Sequence, residues 1–143
     1  MISYQIDLEG ITAARLRGFF VGWPKPPSPE THLRLLQQSY RVVLAVDDQN
    51  NCAVGFINAI SDGILSAYIP LLEVLPEYQM QGIGDELVKR MLRLLDNLYM
   101  IDLTCDRRLQ KFYERFGMKP STGMMIRNYA CQAGVSATKP WVE

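Results

Sequence analysis

Ile2, Tyr4 and Ile6 alternate with Ser3, Gln5 and Asp7 at the start of the chain, a period of two that predicts a strand. Over residues 11–21, Leu16, Phe19 and Phe20 gather on one side of a helical projection, so a helix is expected there. Gly22-Trp23-Pro24-Lys25-Pro26-Pro27 is too rich in proline for a helix or a central strand. Ser28-Pro29-Glu30 then supplies a capping hydroxyl, a proline suited to the first helical position and an acid for the positive end of the dipole. The helix it opens carries Leu33 and Leu36 and is expected to end near Ser39.

Three strands are predicted next, at 41–46, 53–60 and 65–75. The polar run 47–51 and the Asp62-Gly63 pair turn the chain between them, and Pro76 stops the third. Residues 84–98 place Leu87, Val88, Met91, Leu92, Leu95 and Leu98 at helical spacing. The pairs Asp85/Lys89 and Glu86/Arg90 lie four apart on the outer face of that helix. A short strand over 100–104 follows, then a helix marked by Leu109, Phe112, Tyr113 and Phe116 and closed by Gly117. A last strand is expected over 124–129, with an irregular tail from Ala130. The order β-α-α-β-β-β-α-β-α-β describes one α/β domain over residues 1–143, a mixed sheet with helices on its faces.

Composition narrows the function classes. Fifteen basic residues balance 15 acidic ones, so the basic excess of a nucleic-acid binder is missing. The three cysteines are far apart and His32 is the lone histidine, which argues against a zinc site and for reduced thiols in a cytoplasmic protein. No apolar stretch approaches the ~18 residues that span a membrane, and the N-terminus lacks the pattern of a signal peptide.

The informative segment is Pro76-Glu77-Tyr78-Gln79-Met80-Gln81-Gly82-Ile83-Gly84, between a predicted strand and the strongest helix. Amides at a helix start lack internal partners and the dipole is positive there, so a phosphate is welcome. Glycines at 82 and 84 let it approach the backbone. A Walker loop requires Gly-Lys-Ser/Thr and a dinucleotide fingerprint requires GxGxxG; neither is present. An ordinary tight turn is the bland alternative.

Gln79-Met80-Gln81-Gly82-Ile83-Gly84 resembles the Arg/Gln-x-x-Gly-x-Gly/Ala motif of the GNAT N-acyltransferase superfamily. Phe112-Tyr113-Glu114-Arg115-Phe116-Gly117-Met118 resembles the family's FYEKLGF segment, so the likeness extends over roughly residues 2–129. Shorter segments, among them Ser61-Asp62-Gly63 and Gly123-Met124, are similar to bacterial and plastid-type members. The resemblance implies a mostly antiparallel sheet of six or seven strands, with helices on both faces and strands four and five splayed. It implies acetyl-CoA as cosubstrate, no metal, and direct transfer to a primary amine of a small molecule or protein in a ternary complex. A homodimer is common among such relatives.

Carried onto this chain, the resemblance makes the backbone of Leu72 and Val74 the partner of the pantetheine arm. Gln79, Met80, Gln81, Gly82, Ile83 and Gly84 become the pyrophosphate cradle, and Asp106, where many members have asparagine, a weaker cofactor contact. Tyr113 matches the family's general acid; by spacing alone it is an aromatic of the apolar stripe. Glu73 is the candidate base, with Asp102, Asp62 or water as alternatives, and equally reads as a surface carboxylate. Trp23, Phe19 and Tyr68 are candidates for an acceptor wall or for core, and His32 for a surface or packing residue. A non-catalytic CoA-binding or interaction module on the same fold is the competing reading.

Overall fold

Ser28 and Pro29 start a helix where their chemistry predicts it: the Ser28 hydroxyl accepts the Thr31 amide at 3.1 Å, and α1 runs Pro29–Gln37. In a computed structural model describing residues 1–135, α1 lies between β1 (Ile2–Gln5) and a run of three strands, β2 (Arg41–Asp47), β3 (Cys52–Ser61) and β4 (Ser66–Val74). α2 (Ile83–Leu94), β5 (Met100–Asp102) and α3 (Gln110–Glu114) follow. The strands form one sheet in sequence order, antiparallel from β1 to β4 and parallel between β4 and β5.

Alternation along β2 sends Val43 and Ala45 to one face, where α2 buries Leu87, Val88 and Met91. Val42, Leu44 and Val46 go to the other face, against Leu36 of α1 and the segment carrying Leu16, Phe19 and Phe20. Each fully buried aliphatic side chain contributes about 1.5–3 kcal/mol, so the sheet is held from both sides. α2 packs tightly on Gly55, where an added Cβ would stand 3.1 Å from Leu87 and 3.3 Å from Ile83.

β4 has two halves. Its first half pairs with β5 at Ser66, Ala67 and Tyr68 only. Between the Tyr68–Ile60 and Leu71–Asn58 pairs, β4 then has two residues, Ile69 and Pro70, where β3 has one, Ala59. The extra residue makes a bulge at Ile69 and Pro70, and bulges bend the strand that carries them. Pro70 offers no amide to a neighbouring strand. Beyond it, Leu71 to Val74 stay paired with β3 while β5 turns away.

Three expectations are corrected. The sheet has five strands rather than six or seven, because residues 124–129 form no ladder among the described residues. Met124, Met125 and Ile126 are all exposed; an unbroken apolar triplet selects neither face of a sheet, so it does not specify a register. A 3-10 turn at Tyr129–Cys131, capped by Asn128, ends that stretch. The helix expected over 11–21 is reduced to a 3-10 turn at Ala13–Arg15. Positive φ at Gly18, Phe20 and Gly22, of 92°, 63° and 83°, cannot continue a right-handed helix. The helix expected to reach 98 ends at Leu94, although Leu95 and Leu98 remain buried. The tail foreseen from Ala130 is described to residue 135; its remainder lies outside the described residues.

Candidate active site

Where β4 and β5 part, a cleft of about 440 Å³ opens, with Glu73, Val74 and Gln79 on one side and Tyr113, Leu103 and Cys105 on the other. Val21 and Trp23 close its far edge. The Leu75 amide donates to the Val54 carbonyl at 2.8 Å, so Leu75 faces β3. By the alternation of an antiparallel ladder, the backbone groups of Val74 and Leu72 face the opening. They offer an extended ligand the edge of a strand. The side-chain amide of Gln79 already donates to the Val74 carbonyl at 3.0 Å, across the mouth of the loop.

The loop after β4 begins with a 3-10 turn at Pro76–Tyr78, and Gly82, with φ of 81°, is the N-cap of α2. The Glu86 amide is bonded to the Gly82 carbonyl, which leaves the amides at the start of α2 without helical acceptors. A Cβ built on Gly82 meets nothing within 4 Å, so bare backbone faces open space there. This cradle suits a diphosphate. Asp85, an acid in the first turn, is answered by Arg115, whose guanidinium donates to both carboxylate oxygens at 2.9 and 3.1 Å. Asp106 is exposed, 3.6 Å from Arg108, and makes no capping bond with its side chain. Asp106 is not among the residues lining the cleft.

Tyr113 is 9% exposed and packs edge-on against Phe112, with ring centroids 4.9 Å apart. Among the described residues its hydroxyl has no hydrogen-bond partner. Burial, then the nearby Cys105, pushes its pKa up to about 12, so the phenol keeps its proton through the neutral and mildly basic range. Tyr113 also lines a second hollow of about 890 Å³ on the other side of β5, and therefore stands where the two meet.

Glu73 lies on the opposite wall, with its carboxylate engaged. Its oxygens accept the Phe20 amide at 2.8 Å and the Val21 amide at 3.2 Å. The alternative carboxylates are elsewhere. Asp62 sits in the β3–β4 hairpin, accepts the amides of Ile64, Leu65 and Ser66, and is held below the usual carboxylate range by those bonds. Asp102 lines the second hollow and not the cleft. Phe19 and His32 are core residues. His32 is 0% exposed, ringed edge-on by Phe19, Phe20 and Phe56, and among the described residues neither ring nitrogen has a partner. Burial pushes its pKa down to about 4. Tyr68 bonds Thr104 at 2.9 Å, tying β4 to the chain just past β5.

Sequence reasoning missed the Phe20 and Val21 amides, because backbone groups of an irregular segment carry no residue signature. It also missed Pro70, although a proline inside a predicted strand is a legible sign of a broken edge. Among the described residues no group of His, Cys, Asp and Glu is gathered to hold a metal ion, and no helix is long and apolar enough to cross a membrane.

The strand-edge cleft thus runs into a glycine-bearing helix start. The model of the acetyltransferase (GNAT) family matches residues 8–118. The chain belongs to the GNAT acetyltransferase family. It is 49% identical to a crystal structure of a protein from Deinococcus radiodurans R1, described as a candidate acetyltransferase, over 94% of each chain with a TM-score of 0.91. A GNAT family acetyltransferase from Streptococcus pneumoniae TIGR4 is 29% identical over 90% of this chain and 98% of that one, at a TM-score of 0.67. Glucosamine-6-phosphate N-acetyltransferase from Arabidopsis thaliana shares the fold alone, with 12% identity over 90% and 98% of the chains and a TM-score of 0.68. No curated protein matches the sequence significantly.

Proposed function

We propose that this protein is an N-acetyltransferase that moves an acetyl group from acetyl-CoA directly to a primary amine, with Tyr113 as general acid. The observation that carries the reading is the cleft itself, which Tyr113 and Glu73 both line beside the half of β4 that β5 leaves open. The outward backbone of Leu72 and Val74 takes the pantetheine arm as an added strand, and the amides around Gly82 take the diphosphate. The thioester carbonyl then lies near Val74, and the amine approaches from the side of Val21 and Trp23. The acceptor is a small-molecule or protein amine, met in the cytoplasm.

Attack forms a carbon–nitrogen bond, breaks carbon–sulfur, frees one proton from the amine and leaves a thiolate that needs one. A primary amine with pKa ~10.4 is almost wholly protonated at neutral pH. The Glu73 carboxylate, with lone pairs beyond those held by Phe20 and Val21, draws the ammonium in and takes its proton. At the other end Tyr113 donates to the sulfur. Its phenol, at about 12, is a weak acid for a thiolate whose parent thiol titrates near ~8.5 in water. Burial in the same cleft raises the thiol too and narrows the gap. Tyr113 thus hydrogen-bonds the sulfur as its charge grows and passes it the proton that nitrogen releases when the carbon–nitrogen bond forms, so the ammonium's proton, taken by Glu73 and given to water, is the one net proton lost.

Replacing Tyr113 by Phe removes the hydroxyl and keeps the ring. Thiol release from acetyl-CoA, assayed over aryl, polyamine, amino-acid and peptide amines, should fall by ~10²–10⁴-fold. Stabilisation of the fold by acetyl-CoA should survive. Because the phenol stays protonated well above neutrality, the rate should show no loss from Tyr113 ionisation below pH ~11. Normal turnover in the Phe variant would remove Tyr113 from the mechanism. Turnover absent from the unaltered protein with every amine, beside intact acetyl-CoA binding, would leave a CoA-binding module.

A further inference from the structure

Between the 3-10 turn at Ala13–Arg15 and α1 the chain has no regular element, yet this stretch supplies Val21 and Trp23 to the cleft. Its path is unusual. Gly18, Phe20 and Gly22 all have positive φ, at 92°, 63° and 83°, and only the two glycines adopt such angles without steric conflict. Phe20 is neither glycine nor asparagine, and something outside the loop must hold it there.

Glu73 holds it. Its two oxygens accept the successive amides of Phe20 and Val21 at 2.8 and 3.2 Å. Successive amides turned to one side by a left-handed residue form an anion-binding concavity, and here the anion is a side chain 53 residues away in sequence. Among the described residues, Glu73 is the only side chain hydrogen-bonded to residues 16–24. The bond between the Trp23 amide and the Phe20 carbonyl, 3.1 Å, carries the constraint on to Trp23, whose ring meets that of Phe20 at 5.0 Å. From behind, Phe20 is wedged against His32 and Phe56.

We propose that Glu73 is a positioning residue for the acceptor wall: its carboxylate, bound in the backbone concavity at Phe20 and Val21, fixes Val21 and Trp23 at the edge of the cleft and so sets acceptor affinity and selectivity. The inference rests on the cleft being the acceptor site. It gives Glu73 a task separate from proton transfer, and one that depends on the carboxylate's shape. A glutamine keeps one acceptor oxygen and turns an N–H₂ toward the second amide, an aspartate falls a methylene short, and an alanine provides nothing.

Amide hydrogen exchange reads this directly in the whole protein without substrate. In Glu73→Ala the Phe20 and Val21 amides should exchange roughly 10–100-fold faster, as expected for loss of bonds to a charged acceptor. Amides of Val43 and Phe56 in the sheet should not change, which also shows that the variant folds. Glu73→Gln should fall between. With 2-phenylethylamine as the probe acceptor, KM should rise across Gln, Asp and Ala in step with loop exchange, while KM for acetyl-CoA stays within about threefold. Preference for 2-phenylethylamine over ethylamine should shrink in the same order. Unchanged exchange at Phe20 and Val21 in the Ala variant would overturn the proposal. So would faster exchange with both amine KM values unmoved, and so would a pure kcat loss at constant KM. Failure of the acetyltransferase reading has a different signature: no turnover in the unaltered protein, whatever the loop does.

Discussion

The two walls of the cleft are built by different means. The proposed cofactor wall, from Leu72 through Gly84, is backbone: an open strand edge, a 3-10 turn and the free amides of a helix start. Its neighbours in space are close in sequence, and Gln79 reaches only five residues back to Val74. The proposed acceptor wall is an irregular segment held by the carboxylate of a distant strand and a buried aromatic cluster. A backbone wall tolerates most side-chain changes but not one that fills the cradle. A wall held by side chains can be retuned by a few substitutions, which suits the acceptor selection proposed for it.

The cofactor wall should break most sharply at Gly82. Glu in its place adds bulk and negative charge where the diphosphate belongs, at a φ of 81° that favours glycine. A ligand at ~100 times its Kd adds ~2.7 kcal/mol to the folded state. That gain should be seen with acetyl-CoA by thermal shift in the unaltered protein and vanish in the Glu variant. Retained stabilisation would place the diphosphate elsewhere.

On the acceptor side the corresponding weakness is acid. His32 titrates near pH 4 when folded and near ~6.5 when unfolded, so below 6.5 the unfolded chain binds a proton that the folded one refuses. This contribution is complete above that range and is lost as pH falls, by about 2 kcal/mol between pH 7 and pH 5. Denaturant unfolding at the two pH values should show that loss, and His32→Leu should diminish it. An unchanged pH dependence in the Leu variant would assign the acid sensitivity to other groups.

A smaller effect is expected at Arg115, which covers the charge of Asp85 beside the cradle and stacks over Phe112 and Phe116. Both partners are partly exposed, so Arg115→Ala should cost about 1 kcal/mol of stability or less. It should also weaken acetyl-CoA binding several-fold, because the Asp85 charge is then left facing phosphate, and calorimetry at low and high salt measures this. Equal affinity at low salt would show that the ion pair only joins α3 to α2.

How much of this was legible depends on distance along the chain. β2, β3 and β4 fell close to their expected bounds because turn residues and hydrophobic runs mark them locally. α1 began at its cap for the same reason, since Ser28 bonds an amide three residues on. The predicted helix over 11–21 failed because helical spacing of Leu16, Phe19 and Phe20 is also what a folded-back loop presents to a sheet. The strand over 124–129 failed because three adjacent apolar residues do not choose a face.

By itself the sequence determined the order of the main elements, the glycine-bearing turn into α2 and the place of Tyr113 on an apolar stripe. Each follows from periodicity, capping or φ preference within a few residues. Only the tertiary structure decided that β4 and β5 part beyond Tyr68, that His32 is enclosed by three aromatic rings, and that Glu73 faces the cleft while gripping the Phe20 and Val21 amides. Those facts join segments tens of residues apart, and no local pattern encodes such a contact, because it exists only after the sheet has brought its two faces and their loops together.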